Sequence, residues 1–165
     1  MSLIKLKSSG GLIFEVDVET VQQMHTVKSS LAKLVDTKDD KEIAIENVMG
    51  EVLEKILKWI KFDRSEKDLT RKINWYNQYF QLKLEKLCEI LLAADHLGVK
   101  TLVRESCHTM MTKYTFEMIK EVLDSMDQSK LIPLLENYRT QYGYEVIVTL
   151  HDKKHLRFFD TKESN

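Results

Sequence analysis

The spacing of apolar residues changes along this chain of 165 residues, and that change constrains its fold more than any other feature. In the first 18 residues apolar side chains alternate with polar ones, which is typical of half-buried strands. Between residues 48 and 138, apart from one charged stretch, they recur every three to four residues, which is typical of amphipathic helices. Only one Pro and five Gly interrupt the chain. The pattern therefore predicts an α+β fold in which strands come first and helices follow.

The apolar pattern and the turn residues predict the individual elements. Strands are predicted at residues 3–7, 12–18 and 43–45, the first two joined as a β-hairpin by Ser8-Ser9-Gly10-Gly11. Helices are predicted at residues 20–24, 26–34, 48–61, 84–97 and 99–114, with shorter ones around Ile119 and at Pro133. Thr26 and Asn47 are the expected N-caps of two of these helices, and Gly98 is an expected C-cap.

Two segments depart from the helical pattern. Residues 63–73 are mostly charged and aperiodic, so we interpret them as a solvated linker. Residues 144–150 alternate again and could pair with residues 156–159 in a terminal β-hairpin.

The overall composition excludes several classes of partner. The chain has 25 Lys+Arg and 26 Asp+Glu, and its net charge is -1. Proteins that bind nucleic acid or anionic membranes need a basic excess, so we expect neither partner. The N-terminus lacks the apolar stretch of a signal peptide, and no apolar run approaches the ~18 residues of a membrane helix. Two cysteines only fit a reduced compartment, so we expect an intracellular soluble protein.

No residue pattern in the chain indicates catalysis or a cofactor. Cys88 and Cys107 lie on apolar helix faces, where free cysteine usually packs in the core. His108 follows Cys107, but adjacent helical residues point about 100° apart and cannot form a dyad. His151 and His155 are four residues apart, a spacing that holds a metal only on a helix and with a further ligand. A surface pair is the favoured interpretation, and the sequence predicts no enzyme.

The helices of the C-terminal half have wide apolar faces. At residues 90–94 apolar side chains surround the helix. Such a face is buried on two sides, either within a larger core or against a partner protein. The residues alone leave both alternatives open.

Two segments of the chain resemble the signatures of a known family. Residues 4–19, IKLKSSGGLIFEVDVE, and residues 90–102, ILLAADHLGVKTL, resemble the S-phase-kinase-associated adaptors, which bridge a cullin to F-box proteins in SCF ubiquitin ligases. The order of elements between these segments is similar too, including a helix that contains Trp59. The resemblance extends from about residue 3 to residue 124 and ends there.

The resemblance implies a BTB/POZ fold, in which a small three-stranded sheet packs on helices and C-terminal helices clasp an F-box. It assigns residues 1–112 to the BTB/POZ-like domain, 113–142 to an F-box-binding extension and 143–165 to a divergent tail. It also implies a non-catalytic adaptor without a cofactor, whose partners are a cullin and F-box proteins.

Contact residues follow from the resemblance alone. The implied cullin-binding residues are Ile45, Asn47, Asp95 and His96. The implied F-box-binding residues are Val99, Leu102, Val103, Cys107, Met110, Ile119 and Leu123. Asp95-His96 stands where the family usually has Asn-Tyr, and losing an aromatic anchor can cost ~2 kcal/mol of binding free energy.

These departures leave alternatives to the bridging adaptor. The chain could be a divergent BTB protein that forms a homodimer, or one that captures only a cullin or only an F-box protein and competes with the adaptors. A metal-dependent enzyme that uses His151 and His155 is the alternative from another class.

Overall fold

A computed structural model describes residues 3–34, 41–125, 130–138 and 140–141. For Leu34, Phe116, Lys120 and Leu123 it describes the backbone only. The strands are β1 (Ile4–Lys7), β2 (Ile13–Val16) and β3 (Glu42–Ala44). The helices are α1 (Val18–Gln22), α2 (Lys28–Leu34), α3 (Gly50–Ser65), α4 (Leu69–Tyr79), α5 (Leu84–Leu97), α6 (Lys100–Lys113) and α7 (Phe116–Ser125), and residues 130–138 are also helical. The predicted α+β class is confirmed.

The described strands form one sheet in the order β2-β1-β3. β1 is antiparallel to β2 and parallel to β3, so that Leu6 lies between Phe14 and Ile43. Ile4 and Leu6 are fully buried, and Lys7 on the opposite face is exposed. In β2, Phe14 and Val16 are half-buried and Ile13 and Glu15 are exposed, as the alternation predicts for a half-buried strand.

Contacts divide the chain into two compact units, and each is described by itself. Unit 1 comprises Met1–Gln78 and Ala93–Leu102, and unit 2 comprises Tyr79–Leu92 and Val103–Asn165. The domain borders predicted at residues 112 and 142 remain predictions.

In unit 1, α3 supplies the main apolar face. Its buried apolar residues are Val52, Leu53, Ile56, Trp59 and Ile60. The Trp59 ring is fully buried, its Nε1 donates to Thr101 Oγ1 at 3.1 Å, and it stacks on Tyr76 of α4 with ring centroids 4.4 Å apart. Trp75 stacks on Phe62 at 4.1 Å. This aromatic cluster joins α3 to α4.

The predicted linker at residues 63–73 is wrong, because most of it is helical. Only residues 66–68 lie between α3 and α4. Asp63 Oδ1 accepts hydrogen bonds from Lys72 Nζ at 3.0 Å and from Tyr76 Oη at 2.6 Å. The charged side chains hide the helical period, and the aromatic residues that pack α4 against α3, Trp75 and Tyr76, lie beyond the charged stretch.

Two predicted N-caps are also wrong. Met49 is the N-cap residue of α3, and Asn47 adopts a left-handed conformation with φ of 62° before it. Thr26 Oγ1 donates to the His96 carbonyl at 2.7 Å, so tertiary contact uses the hydroxyl that the sequence assigned to capping. The cap observed at α1 is Asp17, which accepts from Thr20 N at 2.7 Å.

Asp17 also links α1 to the end of α3. Arg64 Nη1 lies 3.2 Å from Asp17 Oδ1. The pKa of Asp17 is lowered, mainly by the hydrogen bond from the Thr20 hydroxyl. The hydrogen bond from Thr20 N and the positive charge of Arg64 act in the same direction, and together they outweigh the partial desolvation of the carboxylate. The carboxylate therefore stays ionised and holds both partners at neutral pH.

The described residues of unit 2 form helices joined by short turns, and they include no strand. Tyr114 Oη donates to the Leu82 carbonyl at 2.5 Å, and Lys113 Nζ donates to the Phe80 carbonyl at 3.0 Å. These bonds tie the end of α6 to the turn before α5. Fully or almost fully buried apolar residues form the core: Leu87, Ile90, Leu91, Met110, Met111, Ile119, Leu131 and Leu135. The terminal hairpin predicted at residues 144–159 lies outside the described residues.

Gly98 makes the tight corner between α5 and α6 in unit 1. Its φ is 74°, which confirms the predicted C-cap glycine. A Cβ at this position would lie 2.9 Å from Thr26 N and 3.1 Å from His25 N. The backbone approaches this closely because His25 N donates to the Gly98 carbonyl, at 3.3 Å. Residue 98 therefore has to be glycine for two independent reasons.

We expect Gly98→Ala to lower the free energy of unfolding by about 2–4 kcal/mol, because a left-handed alanine costs ~1–2 kcal/mol and the clash adds more. Gly11→Ala is the matched control, since Gly11 has φ of 87° but nothing lies within 4 Å of an added Cβ. Urea unfolding of both variants measures the difference. Equal losses would show that the close approach at Gly98 contributes nothing.

Candidate protein-interaction site

Two of the residues predicted to bind a cullin lie on the last turn of α5. Asp95 and His96 are both exposed. Their backbone is held by the corner at Gly98 and by the bond from Thr26 Oγ1 to the His96 carbonyl. The two side chains therefore project to solvent from a fixed segment, as a contact residue must.

The other two predicted cullin-binding residues follow β3. Ile45 is buried, and its N–H donates to the Lys7 carbonyl at 2.7 Å. Asn47 is exposed, and the next residue, Val48, is buried and accepts a hydrogen bond from Ser9 N at 3.0 Å. The loop is thus anchored on both sides of Asn47. Asn47 can contact another protein directly, whereas Ile45 can only support the loop.

Exposed apolar residues beside this loop were missed by the sequence interpretation. Met49 is 60% exposed, although it lies within the amphipathic helix predicted at residues 48–61. Leu12 and Ile13 are 57% and 51% exposed. A signal existed at these two positions, because Leu12, Ile13 and Phe14 are consecutive and a strand cannot bury all three on one face.

Most residues predicted to bind an F-box are interior side chains in this structure. In unit 1, Val99 and Leu102 are buried, with 2% and 0% exposure. In unit 2, the buried members are Cys107, Met110 and Ile119. Val103 is half-buried, and for Leu123 the structure describes only the backbone. A partner helix could reach the buried residues only after the chain rearranges. That these residues bind an F-box remains a prediction.

In unit 2, residues 130–138 cover part of α6, including Cys107. Cys107 Sγ lies 4.0 Å from the Leu134 carbonyl, and His108 Nδ1 lies 3.0 Å from Tyr138 Oη. Leu131 and Leu135 on the same helical segment are fully buried. This segment therefore packs along α6 and occupies the side on which Cys107 lies.

The pKa shifts of the titratable groups in unit 2 are those of side chains packed in a core. Burial raises the pKa of the Cys88 thiol to about 11, and the carboxylates of Glu85 and Glu89 add to the shift. Burial likewise raises the pKa of Tyr79 and of Tyr114. A protonated, buried thiol is a poor nucleophile. These groups therefore provide neither an activated nucleophile nor a general base.

The described residues contain no metal-site geometry and no membrane span. Within these ranges no group of three or more His, Cys, Asp and Glu side chains could hold a metal ion. His151 and His155 lie outside the described residues. No helix in the described part is both long enough and apolar enough to cross a membrane.

Comparison with known proteins identifies the family. Residues 2–65 match the family described as "Skp1 family, tetramerisation domain". The "E3 ubiquitin ligase complex SCF subunit sconC" of Arthroderma otae is 31% identical over 121 residues, which span 66% of this chain and 72% of that protein. The chain belongs to the Skp1 family. The protein of the same description from Neosartorya fischeri is 30% identical over 121 residues, spanning 67% of this chain and 75% of the relative.

Membership of the Skp1 family confirms the resemblance stated from the sequence and agrees with the BTB/POZ-like fold. The family match covers β1 to α3, and with them Ile45 and Asn47. Asp95, His96 and all predicted F-box contacts lie beyond residue 65.

We expect both thiols of this Skp1-family chain to be unreactive while it is folded. Cys88 and Cys107 are 1% and 0% exposed, and a thiol with a pKa of about 11 is on the order of 0.1% ionised at pH 8. Titration with Ellman's reagent at pH 8 should detect almost no thiol in buffer and both in urea. A Cys88→Ser variant identifies the responding residue. Fast reaction of Cys107 in buffer would show that residues 130–138 separate readily from the side of α6 that carries Cys107.

Proposed function

We propose that this protein is a non-catalytic adaptor that bridges a cullin scaffold and F-box substrate receptors in an SCF-type ubiquitin ligase. The observation that supports it most directly is the similarity, over 121 residues, to relatives named as SCF subunits. Such an adaptor contributes no chemistry. It raises the effective concentration of a bound substrate near the ligase, because the receptor and the scaffold are held together. Its place of action would be the cytoplasm and nucleus.

On the cullin side, the proposal relies on Asp95 and His96. They are exposed on a segment whose backbone is fixed, and a preorganised contact loses little entropy on binding. The family resemblance implies Asn-Tyr at these positions. We infer that this chain binds its cullin without the usual aromatic anchor and therefore more weakly, or binds a different cullin.

We expect the double substitution Asp95→Asn, His96→Tyr to strengthen cullin binding by about 10- to 30-fold, the equivalent of restoring one aromatic anchor. Calorimetry with a purified cullin N-terminal domain measures the change. Both positions are exposed, so folding should not suffer. Gln78→Tyr is the control, because it adds an exposed tyrosine on α4 instead. An unchanged or lower affinity would count against this cullin surface.

On the F-box side, only some predicted contacts can act without rearrangement. Val103 on α6 is half-buried, whereas Leu102 beside it is fully buried. Met118 on α7, next to Ile119, is 51% exposed. We infer that an F-box first meets the accessible residues and gains Cys107 only if residues 130–138 move.

We expect Val103→Asp to weaken capture of a purified F-box protein at least about tenfold, because it places a charge on an apolar contact. Leu69→Asp is the matched control, since Leu69 is 70% exposed on α4. Leu102→Asp is unsuitable because a buried carboxylate would destabilise the fold. Pull-down is compared at equal folded fraction, measured by circular dichroism. Unaltered capture by Val103→Asp would remove α6 from the proposed contact.

A second candidate is a competitor that captures only one of the two partners. The burial of the predicted F-box contacts favours it, together with the loss of Asn-Tyr at Asp95-His96. Mixing the protein with a cullin and an F-box protein discriminates the candidates by size-exclusion chromatography. One ternary complex supports the bridging adaptor, and separate binary complexes support the competitor.

A further inference from the structure

The helical residues 130–138, which we call the covering segment, have one buried face in unit 2. Leu131, Leu135 and Tyr138 occupy positions i, i+4 and i+7, and they are 0%, 0% and 8% exposed. Pro133 lies on the opposite side of the segment and is exposed. The segment is therefore amphipathic, and it buries its apolar face within its own unit.

The covering segment contacts α6 at two consecutive residues. The Leu134 carbonyl lies 4.0 Å from Cys107 Sγ, and Tyr138 Oη lies 3.0 Å from His108 Nδ1. Leu134 and Tyr138 are about one helical turn apart, so this contact extends over about 6 Å along the segment. Cys107 is 0% exposed, and the family resemblance assigns it to the F-box contact. The segment therefore lies where another protein would have to approach Cys107.

The polar contacts between the covering segment and α6 are weak individually. A thiol is a weak donor, so the contact from Cys107 Sγ contributes little. His108 is exposed, and water can replace the tyrosine hydroxyl at its ring. Burial of the apolar face favours the closed form, but opening one short segment costs less free energy than unfolding the whole domain. We therefore expect a closed form that predominates and an open form that is minor.

We propose that the covering segment inhibits F-box binding from within the chain. It must open before a partner helix can contact Cys107, and the hydrogen bond between Tyr138 and His108 helps to keep it closed. This inference rests on the proposed adaptor function and states how the F-box surface of the adaptor is regulated. Val103, which is half-buried in the closed form, remains available for a first contact.

One opening equilibrium then controls two measurable quantities. Only molecules whose segment is open bind an F-box through Cys107, so the apparent dissociation constant is the intrinsic one divided by the open fraction. The rate at which a small reagent modifies the Cys107 thiol is proportional to the same fraction, provided that opening and closing are faster than the reaction. A variant that increases the open fraction should therefore raise the F-box affinity and the thiol rate by the same factor.

The first test follows the Cys107 thiol of the full chain, in a Cys88→Ser background, with Ellman's reagent at pH 8. Tyr138→Phe removes the hydroxyl and keeps the ring, so we expect Cys107 to react about 2- to 10-fold faster. Tyr76→Phe is the matched control, because it removes the hydroxyl that binds Asp63 Oδ1 in unit 1 and should leave the rate unaltered. An unaltered rate in Tyr138→Phe, or equal increases in both variants, overturns the proposal.

The second test assigns the effect to the hydrogen bond itself. His108→Ala should accelerate the reaction of Cys107 by a factor similar to that of Tyr138→Phe. The double variant should react little faster than either single variant, because both substitutions remove the same bond. Two factors that multiply in the double variant would show that the residues act independently, and this result overturns the role given to the bond.

The third test measures the affinity of a purified F-box protein for the wild-type chain and for Tyr138→Phe by calorimetry. We expect the affinity to rise by the same factor as the thiol rate of Cys107. A faster thiol reaction with an unaltered or lower affinity overturns the inhibition, although the adaptor function stands. If neither chain binds the F-box protein, the adaptor function and the inhibition fail together, whereas a faster thiol reaction still supports an opening segment.

Discussion

The corner at Gly98 is the constraint on which unit 1 depends. Backbone hydrogen bonds join His25 N to the Gly98 carbonyl and Thr26 N to the Leu97 carbonyl, and no side chain fits between the two segments. These bonds anchor residues 93–102 on the segment that follows α1. Because Asp95 and His96 precede the corner and Val99 follows it, one glycine determines the position of residues assigned to both partners.

Burial of the predicted F-box contacts illustrates a general ambiguity of apolar helix faces. The same transfer free energy stabilises an apolar side chain in its own core and in an interface. Periodicity therefore identifies Leu102 and Met110 as buried without specifying what buries them. In this structure they are interior side chains, and Val103 is the accessible neighbour. An adaptor of this kind must either bind through accessible residues or exchange internal contacts for external ones.

The sequence predicted the elements whose signals are local. The hairpin, α5 and the glycine after it follow from alternation, helical period and turn chemistry within a few residues. The failures concern distant contacts. The hydroxyl of Thr26 binds a carbonyl 70 residues away, and Asp63 holds α4 through Tyr76. Family resemblance supplied the BTB/POZ-like fold and all contact residues of the candidate site, which no pattern in a single chain can assign.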